Sequence, residues 1–267
     1  MTDQPSSLPA KPVTDIWKPE LVALPRLTPA RKVFRVFFRA LMRTLTLFSM
    51  RAVIKGVENF PRKGPALVVF NHLGDADVVL IGAAIPVELE GIGKIELYEH
   101  RLVGPFFRAY GLIWVHRGQP DRKAVRAALD GLQEGRMVMI APEGRQSVTG
   151  GLEEGTDGAA FLAMKSGAPI VPVAITGTDN PSIFERKWWR RAPVTLSVGK
   201  PFFLREQADR QAMMREGTRQ IMESLAVLLP ESYRGVYAYV GKKPTGSKSS
   251  ASKIAKASPR NDKSMGL

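Results

Sequence analysis

A histidine followed five residues later by an aspartate, His72 and Asp77 in Phe70-Asn71-His72-Leu73-Gly74-Asp75-Ala76-Asp77, supplies the residue types of an acid and base pair. A neutral imidazole is the side chain best matched to accept a proton near pH 7, and a carboxylate beside it fixes its tautomer and stabilises the imidazolium. On one continuous helix the two would stand about 140° apart and would not meet. If His72 closes a strand and Asp77 lies in the first turn of the next helix, the carboxylate folds back onto the ring. That is a triad without its serine, and the nucleophile is then the substrate's own hydroxyl. The plainer alternative is that the two residues only cap a turn.

A further polar cluster, Ala141-Pro142-Glu143-Gly144-Arg145-Gln146-Ser147, follows another apolar run. A proline, an acid and a glycine after a strand also describe an ordinary turn. A carboxylate and an arginine together at a strand end suit a polar headgroup as well.

The elements that must position these residues are legible as short apolar runs alternating with helical patterns. Ala66–Phe70, 112–115, 138–140, 170–175 and 194–198 have strand length. Residues 78–85 read as a helix. Asp121 caps a helix with Ala124, Val125, Ala128, Leu129 and Leu132 on one face and Gly135 at its end, and another helix runs over 158–166 with Gly167 as its stop. A last helix over 207–229 stops at Pro230. This alternation predicts an α/β fold, a mostly parallel sheet flanked by helices, whose ligands collect outside the carboxyl ends of the strands.

Residues 1–55 read as a proline-rich leader and an amphipathic helix, 56–240 as the α/β domain, and 241–267 as a disordered basic tail with too few large apolar residues to order. The helix begins near Thr28 and Pro29. It sets Arg31, Arg35, Arg39 and Arg43 against a broad apolar surface with no acidic residue among them. Such a helix is a candidate membrane-binding motif, each arginine near an anionic surface contributing about 1 kcal/mol. Its alternative is a helix that packs its apolar side on the domain and leaves the arginines in water. Trp188 and Trp189, flanked by Arg186, Lys187, Arg190 and Arg191, suit either a headgroup anchor or a packed loop, and tail lysines such as Lys242 and Lys248 add weak attraction to anionic lipid.

A formal net charge of +14 over 267 residues attracts polyanions: nucleic acid, an anionic bilayer or a phosphorylated substrate. Aromatics interleaved with Lys and Arg on one face, as a nucleic-acid binder needs, occur only around Trp188, so no nucleic-acid partner is expected. The absence of cysteine removes disulfides, a thiolate nucleophile and Cys-bound metal. No apolar run reaches the roughly 18 residues of a membrane span, and the N-terminus is not a signal peptide. No phosphate loop, nucleophile-elbow serine or metal-ligand spacing is present, so no metal and no cofactor is expected.

The sequence resembles the glycerolipid acyltransferase family that includes 1-acylglycerol-3-phosphate acyltransferase, over about residues 56–201. Four blocks in family order carry the resemblance: Asn71-His72 through Asp77; Gly111-Leu112-Ile113-Trp114-Val115-His116-Arg117; Pro142-Glu143-Gly144 with Ser147; and Ile170-Val171-Pro172-Val173-Ala174. The resemblance implies acyl transfer from acyl-coenzyme A or acyl carrier protein to a lysolipid at the cytoplasmic face of a membrane. His72 is then the base, Asp77 its orienter, and Arg117, Glu143, Gly144, Arg145, Asn71 and Ser147 the substrate site. Two departures stand out. His116 occupies the place of an aspartate before Arg117, and the third block's threonine then arginine appear as Arg145 then Gln146, which re-aims the guanidinium. Lysophosphatidic acid is the default acceptor; another polar-headed lysolipid or alcohol, or a catalytically inactive lipid-binding relative, is the alternative.

Overall fold

The computed structural model describes residues 9–118, 121–180, 182–185, 188–205 and 209–241. The tail from 242, the side chain of Trp188, and Arg186 and Lys187 lie outside the described residues. A seven-stranded sheet carries the chain: β1 (Met50–Lys55), β2 (Ala66–Phe70), β3 (Leu89–Lys94), β4 (Ile113–Val115), β5 (Met137–Ile140), β6 (Ile170–Thr176) and β7 (Ala192–Val198), in the order β1-β7-β6-β2-β5-β3-β4. Every neighbouring pair is parallel except β6 with β7. The mostly parallel α/β architecture is therefore observed.

The helices are α1 (Pro29–Ser49), α2 (Ala76–Ala84), α3 (Glu96–Glu99), α4 (Gly104–Tyr110), α5 (Arg122–Gln133), α6 (Asp157–Ser166) and α7 (Arg210–Leu228). They form layers on both faces, so β2 is buried at every position and reads as an unbroken apolar run. Asp121 caps α5 by accepting from Ala124 N, and Gly167 ends α6 in the left-handed conformation. Helix α7 starts three residues later than the pattern predicts, with Asp209 accepting from Ala212 N.

Three features depart from the sequence expectation. Strand β1 lies before the expected boundary at residue 56 yet pairs with β7 along its whole length, so the sheet begins inside the segment assigned to the leader and helix. Strand β3, Leu-Glu-Gly-Ile-Gly-Lys, lacks the apolar run expected of a buried strand. Its glycines make room for Leu112, since a Cβ on Gly93 would stand 2.6 Å from that side chain.

The third departure is the orientation of α1. Its arginines turn toward the protein and take the carbonyl ends of two helices, Arg43 while still exposed. Arg43 donates to Ala83 O and Arg39 to Pro86 O at the end of α2, while Arg31 reaches Ala109 O and Arg35 reaches Tyr110 O at the end of α4. Guanidinium groups satisfy the orphan carbonyls and complement the negative end of each helix dipole. Arg35 also pairs with Glu90 of β3 through two bonds of 2.9 and 2.8 Å, with side chains 2% and 3% exposed. Phe38 and Met42 pack beneath, and the opposite face presents Val33, Val36, Phe37, Leu47 and Phe48 to solvent. No helix among the described residues is long and apolar enough to cross a membrane.

Candidate active site

Strand β2 delivers Asn71 and His72 to the carboxyl end of the sheet. The Asn71 amide donates to Ile175 O at 2.9 Å and accepts from Ile175 N at 2.7 Å, tying the exit of β2 to β6. His72 is then held by its own backbone: its N–H donates to Glu143 Oε1 at 3.2 Å, and its carbonyl accepts from Ser147 N at 2.7 Å. The chain turns at Gly74, where a Cβ would meet Thr178 O at 2.6 Å, and enters α2.

Asp77 in the first turn of α2 places Oδ2 2.7 Å from His72 Nδ1 and accepts from the amides of Leu73 and Gly74 with the same oxygen, at 2.7 and 3.1 Å. The carboxylate is fully buried at the positive end of a helix, a setting that suits an anion. An ionised carboxylate only accepts, so Nδ1 carries the ring proton and Nε2 keeps its lone pair. The His72 side chain is 22% exposed, and Nε2 has no hydrogen-bond partner among the described residues. A ring so arranged takes a proton from a hydroxyl brought to its open edge.

The loop after β5 supports this pair from behind. Glu143 is buried, with Oε1 on His72 N and Oε2 accepting from Glu153 N at 2.9 Å, and burial pushes its carboxyl up to about 7. Arg145 is buried too. Its Nε meets Glu153 Oε2 at 2.7 Å and its Nη1 donates to Pro9 O at 2.6 Å. Ser147 directs its hydroxyl to Gly151 O, closing the loop on itself. Gly144 sits exposed at φ +73°, a conformation that favours glycine. Arg117, after β4, is partly exposed and lies 3.5 Å from Glu96.

His72, Asp77, Asn71, Glu143 and Ser147 thus converge on one strand end. Of the residues expected to face a substrate, Gly144 and Arg117 reach the surface, whereas Asn71, Glu143 and Arg145 are engaged inside the protein. Glu153 is the residue sequence reading missed: it binds the Arg145 guanidinium, the Val148 amide and, through its own N–H, Glu143. Its place in Gly151-Leu152-Glu153-Glu154-Gly155 carries no spacing signal.

Residues 51–176 match the model of the Acyltransferase family. The chain is 27% identical over 188 residues to the 1-acyl-sn-glycerol-3-phosphate acyltransferase of Bacillus subtilis, covering 67% of this chain and 91% of that one. It is 27% identical over 140 residues to the enzyme of that name from Borreliella burgdorferi and 26% identical over 156 residues to the chloroplastic LPAT1 of Arabidopsis thaliana, spanning only 56% and 44% of their lengths. The crystal structure of the 1-acyl-sn-glycerophosphate acyltransferase PlsC from Thermotoga maritima superimposes with a TM-score of 0.55 at 23% identity, covering 76% of this chain and 84% of that one. That likeness is one of fold.

Proposed function

We propose that this chain, whose residues 51–176 match the model of the Acyltransferase family, moves an acyl group from acyl-coenzyme A or acyl carrier protein to the free hydroxyl of 1-acylglycerol-3-phosphate, giving phosphatidic acid. The carrying observation is the His72 ring, bonded to Asp77 through Nδ1 and open at Nε2. Nε2 takes the hydroxyl proton as the oxygen attacks the thioester carbonyl. The tetrahedral intermediate collapses with cleavage of the C–S bond, and the imidazolium returns its proton to the departing thiolate. The products are an ester and a free thiol, with no covalent enzyme intermediate. Asp77 stabilises the imidazolium, and Glu143 and Ser147 hold the histidine backbone. The base contributes roughly 10² to 10⁴ in rate, and holding both substrates in line contributes more.

Lysolipids reside in bilayers, so the reaction belongs at a membrane surface, here the cytoplasmic face. The exposed Val33, Val36, Phe37, Leu47 and Phe48 of α1 enter the headgroup boundary, joined by Leu102 and Phe106, the latter in ring contact with Phe34 at 6.5 Å. The net positive charge adds attraction to anionic lipid. A narrow, mostly apolar cleft beneath α1, lined by Phe38, Val78, Ile81, Phe107, Leu112 and Met139 with Arg35, Arg39 and Glu88 also at its wall, is where we place the start of the acyl chain.

The test is acylation of a panel of lysolipids by purified protein with labelled acyl-coenzyme A or acyl carrier protein, beside a folded His72→Ala variant. Transfer by the wild type alone is expected, and equal transfer by both removes the base. Because α1 is pinned into the domain through Arg35 and Glu90, the membrane reading is tested by Phe37→Asp with Phe48→Asp rather than by deletion. Flotation with anionic vesicles that survives both substitutions discards this face as the anchor.

A further inference from the structure

Residues 9–18 lie across the loops that follow β4 and β5, the second of which holds the His72 backbone. Arg145 Nη1 donates to Pro9 O and Lys11 Nζ donates to Glu143 O, both at 2.6 Å; Thr14 N donates to Arg117 O at 3.1 Å, and Lys18 N to His116 Nε2 at 3.0 Å. Pro9 and Pro12 stiffen the strap. All of it precedes the matched domain at residues 51–176.

A phosphate held beside His72 needs a cation, and the third-block arginine expected to supply one is engaged inside the protein. Arg145 is buried against Glu153, and Arg117 faces Glu96. Lys11 is placed differently. Among the described residues its ammonium has one hydrogen-bond partner, which leaves two of its three N–H donors. It stands over the bare backbone of the third block, 3.8 Å from where a Cβ on Gly144 would be. Burial and then the Arg145 charge pull its pKa below the ordinary ammonium value, against the opposing pull of the Glu153, Glu143 and Glu154 carboxylates. One residue, Glu143, joins Lys11 to the site: its carbonyl takes Nζ and its carboxylate takes His72 N. These two bonds and one side-chain length keep Nζ within about 12 Å of the His72 amide, and adding the histidine side chain keeps it within about 18 Å of Nε2, a limit the acceptor must fall inside. A glycerol phosphate with its hydroxyl on an imidazole and its phosphate on an ammonium spans roughly 10 Å, hydrogen bonds included.

We propose that Lys11, delivered by the N-terminal strap, holds the phosphate of the acceptor and so sets headgroup specificity from outside the acyltransferase domain. The assignment rests on the reading of a phosphorylated lysolipid as acceptor. It explains how the site recovers a cation although the third-block guanidinium is turned inward. An ammonium binds phosphate as a point charge, with less directional demand than the arginine fork it replaces.

The experiment compares the full-length wild type, Lys11→Ala and Lys11→Arg, with folding checked by thermal unfolding. Steady-state constants are measured for 1-acylglycerol-3-phosphate and for monoacylglycerol, which lacks the phosphate, and binding of sn-glycerol 3-phosphate is measured by calorimetry. Lys11→Ala is expected to raise KM for the phosphorylated acceptor about tenfold or more, while KM for monoacylglycerol and for the acyl thioester stays within about twofold; Lys11→Arg recovers most of the loss. An equal rise with both acceptors, or no rise, overturns the assignment. Calorimetry decides independently of turnover: binding is expected to weaken about tenfold in Lys11→Ala, also in a His72→Ala background. Should the wild type acylate no acceptor, the proposed function falls while this binding comparison still judges Lys11. Equal or absent binding by both proteins then overturns it.

Discussion

The chain contains two histidines each followed five residues later by an aspartate, and they fold into nearly the same local object with opposite prospects. In both, the histidine follows a strand and the aspartate opens a helix, with Nδ1 and Oδ2 2.7 Å apart. Asp77 also accepts from Leu73 N, and Asp121 from His116 N and Ala124 N. The difference lies at the other ring nitrogen. His72 Nε2 opens toward solvent, whereas His116 is 1% exposed, its Nε2 accepts from Lys18 N, and Trp17 lies on its ring with centroids 4.5 Å apart. One pair has a lone pair available to a substrate; the other uses it to fasten the N-terminal strap. An imidazole and carboxylate pair is therefore a base only where the fold leaves the second nitrogen open.

The largest expected effect is on the open pair. His72→Ala is expected to lower kcat at least about a hundredfold in the lysolipid assay with little change in unfolding temperature. Comparable activity would make the two pairs equivalent and remove the distinction. Asp77→Asn should cost about a hundredfold as well, because an amide in place of the carboxylate disturbs the ring tautomer. Asp121→Asn, the matching change, is expected to lower unfolding temperature while leaving most of kcat. A loss of kcat from Asp121→Asn as large as that from Asp77→Asn would refute the assignment of roles.

His116→Ala sharpens the comparison from the other side. Removing the ring leaves the Lys18 amide without its acceptor and should destabilise by about 1–3 kcal/mol. Limited proteolysis is expected to cut within residues 9–25 faster than in the wild type, and KM for the acceptor to rise before kcat falls. The smallest effect concerns pH. Glu143, behind His72, titrates at about 7 in the folded protein because burial raises it from an ordinary 4.5. Folding therefore favours its protonated form, and the stabilisation, complete below pH 4.5, is lost as pH rises through 7. Between pH 5 and 8 the unfolding temperature of the wild type should drop more steeply than that of Glu143→Gln. Parallel curves would show that Glu143 does not titrate in this range.

Much of the scaffold was legible. Strands β2, β5 and β6 are apolar runs of strand length, and α5 and α6 carry their own cap or stop residues, so local chemistry alone marked them. Strands β1 and β3 were not legible. One is a mixed edge strand, and the other earns its burial from Leu112 and from the Arg35 partner of Glu90. Short α3 and α4 lack a run long enough to show a period. Within the site, the fold class and the pair His72 with Asp77 could be read from spacing; the inward turn of Glu143 and Arg145 could not, because each is fixed by Glu153 and by the strap.

The sequence by itself marked most of the strands and the longer helices, where the pair of His72 and Asp77 sits, and that α1 has one arginine stripe and one apolar face. Periodicity, caps and glycine stops act over a few residues, so they survive without knowledge of the fold. Only the tertiary structure decided which face of α1 turns inward, which of two equivalent imidazoles stays open, and which lysine stands over Gly144. Those outcomes depend on partners far away in the chain: the carbonyl ends of α2 and α4, the amide of Lys18 and the carbonyl of Glu143. A side chain's chemistry is written in its type, but its availability is set by what else needs the same hydrogen bond.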